Sequence, residues 1–206
     1  MPTNNYFFFD GSALIAEIRS LQESDGKFKD RRLCPLPFVN YLRGYHLVNT
    51  LTDGAYRRAV FYFAQDDPQV VKYINIPDKR IPDTVADISF KFCGERLKMP
   101  AGYDDWYAQQ PPEFQQFCSK REKGVDVEIC CDALQLTALR NLDRLILFTN
   151  DSDFIPLCEK LKAFGSNVSL IKLSSARPVN KDLVEACDSY TLFPERALEN
   201  IFEPPT

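Results

Sequence analysis

The hydrophobic pattern of the first 25 residues predicts a strand followed by a helix. Residues 6–9 form a continuous apolar run, which is typical of a strand buried on both faces of a sheet. Residues 10–12, Asp-Gly-Ser, then turn the chain. Leu14, Ile18 and Leu21 recur at helical spacing and predict a helix. The chain therefore begins with a strand, an acidic residue at its carboxyl end, and a helix.

The rest of the chain also alternates between strand and helix patterns, most regularly in its carboxyl-terminal half. Further strands are predicted over residues 57–64, 145–149, 168–171 and 190–193, and further helices over residues 70–74, 125–139, 154–164 and 181–186. Such alternation predicts a mainly parallel sheet with helices on both faces, a three-layer α/β/α fold. We expect one domain that spans residues 1–206.

Three segments break this alternation. Residues 24–54 and 100–119 are predicted to be irregular insertions, the second of them a long loop or a loop with one short helix. Residues 87–99 alternate about Cys93 and Gly94, which indicates a hairpin.

Composition excludes several classes of protein. The chain has 206 residues, of which 45% are hydrophobic and 26% charged, as in ordinary globular domains. The longest wholly apolar run has six residues, 59–64, whereas a bilayer span needs about 20. We therefore expect a soluble, cytoplasmic protein without a membrane partner. The net charge of −4 means that any nucleic-acid partner needs a local basic patch or a bound cation.

Cysteine and histidine counts narrow the chemistry further. The seven cysteines are scattered, without a C-x-x-C pair, so a disulfide framework is not expected. The single histidine, His46, excludes multi-histidine zinc sites and two-histidine ribonucleases. If this chain is a hydrolase, a group other than imidazole activates its water.

Four aspartates lie where strands end or helices begin. They are Asp10, Asp126, Asp151 and Asp153. Ligands of open α/β sheets bind beyond the carboxyl ends of the strands, where these side chains would meet. Taken singly, Asp10, Asp126 and Asp153 are more simply explained as helix caps, where a carboxylate binds free N–H groups and suits the helix dipole. As a set, carboxylates about 5 Å apart repel by roughly 3 kcal/mol per pair, unless a cation occupies the cluster. Oxygen-only ligands favour Mg²⁺ or Mn²⁺ over zinc.

Three motifs place acidic residues beside apolar runs. They are FFFDGSAL at residues 7–14, KGVDVEICCD at 123–132 and TNDSDFIPLCEKLKAFG at 149–165. These motifs resemble the NYN domains of the LabA-like group, within the PIN-like nuclease superfamily. The resemblance implies a PIN-like α/β/α fold and metal-dependent cleavage of RNA. It also implies that the four aspartates bind the metal. The family usually has asparagine at the position of Ala13, so a support for Asp10 is missing or is supplied by Ser12 or Asn150.

Two further acids are weaker candidates for the same site. Asp132 matches an acid that is common in the group. However, Glu128 and Asp132 are four residues apart on the predicted helix, and such a pair of like charges is more simply interpreted as a solvated face. Asp66 follows the second strand and is a possible additional ligand.

Basic residues near the motifs are candidate contacts for RNA phosphates. The first set is Lys120, Arg121 and Lys123, which precede Asp126; Lys91, Arg96, Lys98 and the basic segment 27–43 form a second set. Tyr103, Trp106 and Tyr107 would stack on bases, or would simply pack their irregular segment onto the core.

The leading hypothesis is a ribonuclease that uses Mg²⁺ or Mn²⁺. The alternative is a catalytically weak or inactive RNA-binding module on the same fold, to which Ala13 and the net acidity point. A Toprim-like phosphotransfer site would require a glutamate after the first strand, where this chain has Asp10. A haloacid-dehalogenase-type phosphatase would require a D-x-D motif there. The oligomeric state is open, with a homo-oligomer as one possibility.

Overall fold

A parallel six-stranded sheet forms the middle of the protein. The computed structural model describes residues 4–50, 55–76, 87–96, 102–111, 122–173 and 177–204. The strands are β1 (Asn4–Asp10), β2 (Ala55–Phe63), β3 (Ile88–Phe92), β4 (Glu95–Arg96), β5 (Glu122–Lys123), β6 (Arg144–Phe148), β7 (Asn167–Lys172) and β8 (Ser189–Leu192). The main sheet has the order β3-β2-β1-β6-β7-β8, and each neighbouring pair is parallel, whereas β4 and β5 form a separate antiparallel pair.

Helices cover both faces of this sheet. They are α1 (Gly11–Ser24), α2 (Pro35–Thr50), α3 (Pro68–Tyr73), α4 (Tyr103–Ala108), α5 (Val125–Ala138), α6 (Ile155–Ala163), α7 (Lys181–Ala186) and α8 (Glu195–Leu198), with 3₁₀ turns at Gly26–Phe28, Ser152–Phe154 and Glu199–Ile201. One core cluster joins α1, α2, α3 and α8 to the sheet, and a second joins α5, α6 and α7 to its other face. The predicted three-layer, mainly parallel α/β/α fold is confirmed.

The run of residues 6–9 shows how β1 serves both cores. Phe7 and Phe9 belong to the first cluster, and Tyr6 and Phe8 belong to the second. Side chains alternate between the faces of a strand, so a strand in the middle of the sheet needs apolar residues at every position. The strand order reverses at β1, because the chain adds β2 and β3 on one side and β6, β7 and β8 on the other. The gap beyond the carboxyl ends of β1 and β6 is therefore the expected ligand position.

The predictions of an irregular segment at residues 24–54 and of a hairpin at residues 87–99 were wrong. Within residues 24–54, the structure has a 3₁₀ turn and the long helix α2, which buries Phe38, Val39 and Leu42. Pro35 and Pro37 lie in the first turn of α2, where proline is tolerated. The hairpin about Cys93 and Gly94 does not form. Instead, β3 pairs in parallel with β2, and β4 pairs with β5.

The segment at 100–119 is described only in part. Residues 102–111 contain the short helix α4, which agrees with the predicted alternative of a loop with one short helix. Residues 112–119 lie outside the described residues. Within the described part of the chain, no helix is both long and apolar enough to cross a membrane.

Candidate active site

Asp10 lies at the carboxyl end of β1, where it caps α1. Its Oδ1 accepts hydrogen bonds from the Ser12 and Ala13 backbone N–H groups at 3.0 and 3.3 Å, and from the Ser12 hydroxyl at 2.9 Å. The carboxyl group is buried, with 3% of the residue exposed. Burial raises the pKa of Asp10, although these hydrogen bonds oppose the shift. The capping interpretation of Asp10 is thus correct, but it leaves a buried carboxylate whose charge is only partly compensated.

Gly11 allows the chain to turn beside Asp10. A Cβ atom at this position would lie 2.4 Å from the Tyr62 backbone oxygen and 2.2 Å from Cδ1 of Phe63. Since a carbonyl of β2 cannot move independently of its strand, only glycine fits here. The Asp-Gly pair therefore holds the start of α1 against the neighbouring strand.

Thr149 connects Asp10 to Asp151. The Thr149 hydroxyl donates to Asp10 Oδ2 at 2.9 Å and accepts a hydrogen bond from the Asp151 N–H at 3.2 Å. Thr149 directly follows β6 and is buried. Sequence analysis missed this residue, although a polar residue directly after a buried strand and before the acids was a signal for it. Two of the predicted site residues are therefore joined by one hydroxyl group.

Asp151 and Asp153 lie in the turn that follows. Asp151 caps the 3₁₀ turn Ser152–Phe154, and its Oδ1 accepts from the Asp153 N–H at 2.9 Å. The prediction that Asp153 is the cap was wrong, because Asp151 holds that position. Asp153 is exposed, whereas Asp151 is partly buried.

Asp126 reaches the same edge from α5. It lies in the first turn of this helix, where a carboxylate suits the helix dipole, although the N-cap residue itself is Gly124. After α5 the chain returns to the amino end of β1, where Asp143 N–H donates to Asn4 O at 3.0 Å. The first turn of α5 therefore points toward the carboxyl edge, since 14 helical residues span about 21 Å.

These acids do not form a closed cage for a metal ion. Among the described residues, no group of three or more His, Cys, Asp or Glu side chains is placed to hold one. Mg²⁺, however, is usually held by one or two carboxylates together with water and substrate phosphates. Asp10 and Asp151, which are joined through the Thr149 hydroxyl and the Asp151 backbone N–H, suit that mode of binding, and a cation beside Asp10 would offset the cost of burying its charge.

Asp132 belongs to a different cluster, on the flank of α5 that faces β3. Its Oδ2 accepts a hydrogen bond from the Tyr62 hydroxyl at 2.8 Å and lies 3.0 Å from Lys91 Nζ, which also pairs with Glu128. Although burial lowers the pKa of Lys91, the two carboxylates raise it overall. The interpretation of Glu128 and Asp132 as a solvated face of like charges was wrong, because Lys91 lies between them.

Ser12 takes over the support that Ala13 cannot give. The Ser12 hydroxyl donates to Asp10, as described above, while the Asn150 side chain donates to Pro178 O at 3.1 Å and accepts from the Asn180 N–H at 2.9 Å. Of the two predicted substitutes for the family asparagine, Ser12 is therefore correct. Asn150 instead fixes the chain that follows β7.

A buried ion pair fixes the same part of the chain. Lys172, at the end of β7, and Glu17, on α1, are 1% and 2% exposed in their side chains, and Nζ lies 2.8 Å from Oε1. Lys172 also donates to Arg177 O at 3.2 Å, and Glu17 accepts from the Leu173 N–H at 2.8 Å. Sequence analysis missed this pair, because a lysine at a strand end normally indicates a solvated position.

The basic candidates for RNA contact have mixed outcomes. Lys120, Arg121 and Lys98 lie outside the described residues, and Lys123 and Arg96 are described in their backbone alone. Lys91 is paired with acids of α5.

Arg31 and Arg32, from the basic segment 27–43, hold the carboxyl-terminal segment. Arg32 pairs with Glu203 at 2.8 Å, and Arg31 Nε donates to the Glu203 backbone oxygen. The hydrogen bond from Arg32 lowers the pKa of Glu203. These two arginines of the candidate basic segment are therefore engaged within the protein, and a contact of the segment with RNA stays a prediction.

The remaining candidates differ in their exposure. Trp106 on α4 is 45% exposed, and Tyr107 is partly buried. The side chain of Tyr103 is not described. Asp66 is exposed in the turn after β2, with φ of 57°.

The fold and this edge define a three-layer α/β/α protein with a candidate ligand site beyond its topological switch point. The family model for the NYN domain matches residues 58–195, more than half of the chain. The chain therefore belongs to the NYN domain family, whose members are generally nucleases of PIN-like fold. The match contains Asp126, Asp151 and Asp153 but begins after β1 and Asp10. Membership of the LabA-like group stays a prediction.

A similar solved structure agrees on the fold. It is a protein of unknown function from Vibrio parahaemolyticus RIMD 2210633, with a TM-score of 0.53 and 14% sequence identity over 98% of this chain and 97% of that chain. At this identity the likeness shows the fold alone. No curated protein matches the chain.

Proposed function

We propose that the chain is a metal-dependent ribonuclease that hydrolyses RNA phosphodiester bonds at the carboxyl edge of β1 and β6. The observation that supports this proposal is the connection of Asp10, through Thr149, to Asp151 at the switch point of the sheet. The hydrogen bonds that Asp10 accepts come from neutral groups, although its charge is buried. A divalent cation at this edge would supply the positive charge.

The proposed ion is Mg²⁺ or Mn²⁺, and Asp10 and Asp151 would be its principal ligands. Asp153 and Asp126 would bind it directly or through water from the turn after β6 and from α5. When bound, such an ion lowers the pKa of a coordinated water and stabilises charge on phosphate oxygens. This chemistry requires no imidazole, which agrees with the single histidine.

The protein groups around the proposed ion have separate roles. Ser12 and Thr149 orient the two oxygens of Asp10, and Gly11 keeps α1 close enough to β2 for that cap to form. Lys120, Arg121 and Lys123, which precede Asp126 in the sequence, would bind RNA phosphates. The backbone of Lys123 lies in β5, immediately before the first turn of α5.

A second candidate function is an RNA-binding module that does not cleave. The observation that favours it is that the described acids do not assemble three ligands around one point. In that case RNA binding would be independent of divalent ions and would yield no products.

Cleavage of a fluorescently labelled RNA tests the proposal. We expect cleavage with Mn²⁺ or Mg²⁺, none with EDTA, and a loss of at least about 100-fold in rate for Asp10→Asn/Asp151→Asn, because the ligands of the ion are removed. Asp143→Asn is the matched control. It replaces the same carboxylate by the same amide, but at the opposite edge of the sheet.

The two candidate functions give different results in this assay. Wild-type protein that binds the RNA equally well with EDTA and with Mn²⁺, and never shortens it, would support the non-cleaving module. Undiminished cleavage by the double variant would show that the site lies elsewhere.

A further inference from the structure

Two cysteine sulfur atoms meet between α6 and α7. Cys158 lies on α6, and Cys187 directly follows α7 as its C-cap. The two Sγ atoms are 3.9 Å apart, although the residues are 29 positions apart in the chain. The sequence shows scattered cysteines without a C-x-x-C pair, so it is the packing of the two helices that brings these thiols into contact.

The two thiols differ in their access to solvent. Cys158 is completely buried, whereas Cys187 is 9% exposed at the end of its helix. A molecule that arrives from solution therefore meets Cys187 first, and Cys158 lies behind it.

The surroundings of Cys187 favour its thiolate form. Lys162 Nζ donates to Ala186 O at 3.0 Å, which places a cation beside the residue that precedes Cys187. The hydrogen bond with Cys158 lowers the pKa of the Cys187 thiol, and the charge of Lys162 acts in the same direction. Since the thiolate is the reactive form of cysteine, Cys187 is the better nucleophile of the pair.

We propose that Cys158 and Cys187 are a site of reversible oxidation, at which a disulfide bond forms by exchange with a low-molecular-weight disulfide, RSSR. The Cys187 thiolate attacks one sulfur atom of RSSR, which gives a mixed disulfide and releases RS⁻. Cys158 then attacks Cys187 Sγ as a thiolate, and the second RS⁻ leaves. The two RS⁻ ions take up the protons of the two cysteines. The protein loses two electrons and two protons, and RSSR is reduced to two RSH.

The contact between the sulfur atoms makes the second step local. A disulfide bond is about 2.0 Å long, so the two atoms, now 3.9 Å apart, have to approach each other by about 2 Å. Rotation about the Cα–Cβ bonds of both cysteines moves the sulfur atoms over such distances. The second step therefore needs no change of fold.

The bond would join two helices that pack beside the turn of Asp151. Helix α7 packs against α6 and against the 3₁₀ turn Ser152–Phe154, and the backbone N–H of its N-cap, Asn180, donates to Asn150. A cross-link that closes the loop 158–187 stabilises the folded state relative to the unfolded chain. The stability of this side of the candidate site would then follow the thiol–disulfide balance of the surroundings. The inference does not depend on the proposed function.

Peptide mapping by mass spectrometry, after the full chain is exposed to oxidised glutathione, tests the proposal. We expect the tryptic peptides 145–160 and 182–196 to be linked, with a loss of two hydrogen atoms; each contains one cysteine. Dithiothreitol should separate them. The matched control is Cys131→Ala, which removes an exposed cysteine of α5 and should retain the link.

The two cysteines should respond differently to substitution. Cys158→Ala should trap glutathione on Cys187, because the thiol that displaces it is gone. Cys187→Ala should leave Cys158 unmodified, since Cys158 is buried. Circular dichroism of the reduced variants verifies that the fold is retained.

Thermal unfolding gives an independent readout. We expect oxidation to raise the Tm of wild type and of Cys131→Ala by at least about 5 °C, and to leave the Tm of Cys158→Ala and Cys187→Ala unchanged. Absence of the linked peptides at millimolar oxidised glutathione would overturn the proposal. So would a link of either cysteine to a different partner, because the contact between α6 and α7 would then not direct the reaction.

Discussion

At the scale of single residues, the buried charge of Asp10 distinguishes the candidate site from an ordinary helix cap. A capping aspartate normally lies at the surface, where water solvates its charge. Asp10 caps α1 from inside the protein, and burial raises the pKa of its carboxyl group. Protonation is therefore easier in the folded protein than in the unfolded chain. The ionised carboxylate of Asp10 therefore costs the folded protein some stability at neutral pH.

The pH dependence of folding tests this view of Asp10. Because the folded pKa is raised, the stability that this group contributes is fully present below the ordinary pKa of aspartate, about 3.9, and is lost as pH rises through the raised value. Asparagine does not titrate. In EDTA, we expect the stability of Asp10→Asn relative to wild type to increase between about pH 4 and pH 7. Urea unfolding measures it.

The control for that experiment is Asp143→Asn, at the opposite edge of the sheet. The stability of Asp143→Asn relative to wild type should not increase in this way between about pH 4 and pH 7. If the stability difference between Asp10→Asn and wild type is the same at both pH values, the carboxyl group of Asp10 is not buried as described.

At the scale of elements, the buried pair of Glu17 and Lys172 fastens α1 to β7 beside the site. Lys172 also contacts Arg177 O and Pro178 O, at 3.2 and 3.4 Å, and Asn150 contacts Pro178 O from the loop after β6. The pair therefore fixes the chain after β7 next to Thr149 and Asp151.

Removing one partner of this pair should be far more costly than removing both. Lys172→Met leaves Glu17 buried without its cation, and we expect a loss of roughly 3–5 kcal/mol in the free energy of unfolding. Glu17→Leu/Lys172→Met replaces the pair by apolar side chains, and should recover most of that loss. Urea unfolding of the three proteins decides the matter. Equal losses for the single and double variants would contradict a buried pair.

The elements that sequence predicted well are those whose packing follows from local pattern. The apolar run at residues 6–9 is typical of a strand buried on both faces, and the structure has β1 there. The helical spacing of apolar residues at 125–139 predicts a helix with one buried face, and the structure has α5 there. The helix α2 was missed because the local pattern of its basic segment favours a loop, whereas its burial against the carboxyl-terminal segment is a long-range effect. The hairpin at 87–99 failed for the same reason, since pairing partners are set by the whole sheet.

The candidate site was predictable only as far as the positions of its acids. Strand ends and motif resemblance selected Asp10 and Asp151 from the sequence. The roles of Thr149 and Lys91 depend on which strands are neighbours, because Lys91 lies in the row across the sheet from Tyr62 and Asp10. Sequence spacing carries no information about such rows. Whether the four aspartates act together likewise depends on their positions in the fold, which sequence spacing does not give.

At the scale of the whole molecule, one edge of the sheet gathers the features on which the proposed function depends. The strand order reverses at β1, and the NYN family match covers residues 58–195, from within β2 to just beyond β8. Asp10 arrives at this edge from the first strand, Asp151 and Asp153 from the middle of the sheet, and Asp126 from the helix between them. Of these acids, Asp10 and Asp151 are joined through the Thr149 hydroxyl.

Diffraction from crystals soaked in Mn²⁺, recorded at the manganese absorption edge, tests this account most directly. We predict an anomalous peak at the edge of β1 and β6, about 2.0–2.3 Å from carboxylate oxygens of Asp10 and Asp151. The peak should be absent from Asp10→Asn/Asp151→Asn and present in Asp143→Asn. A peak bound elsewhere on the protein, or none at this edge at millimolar Mn²⁺, would contradict the proposed metal site.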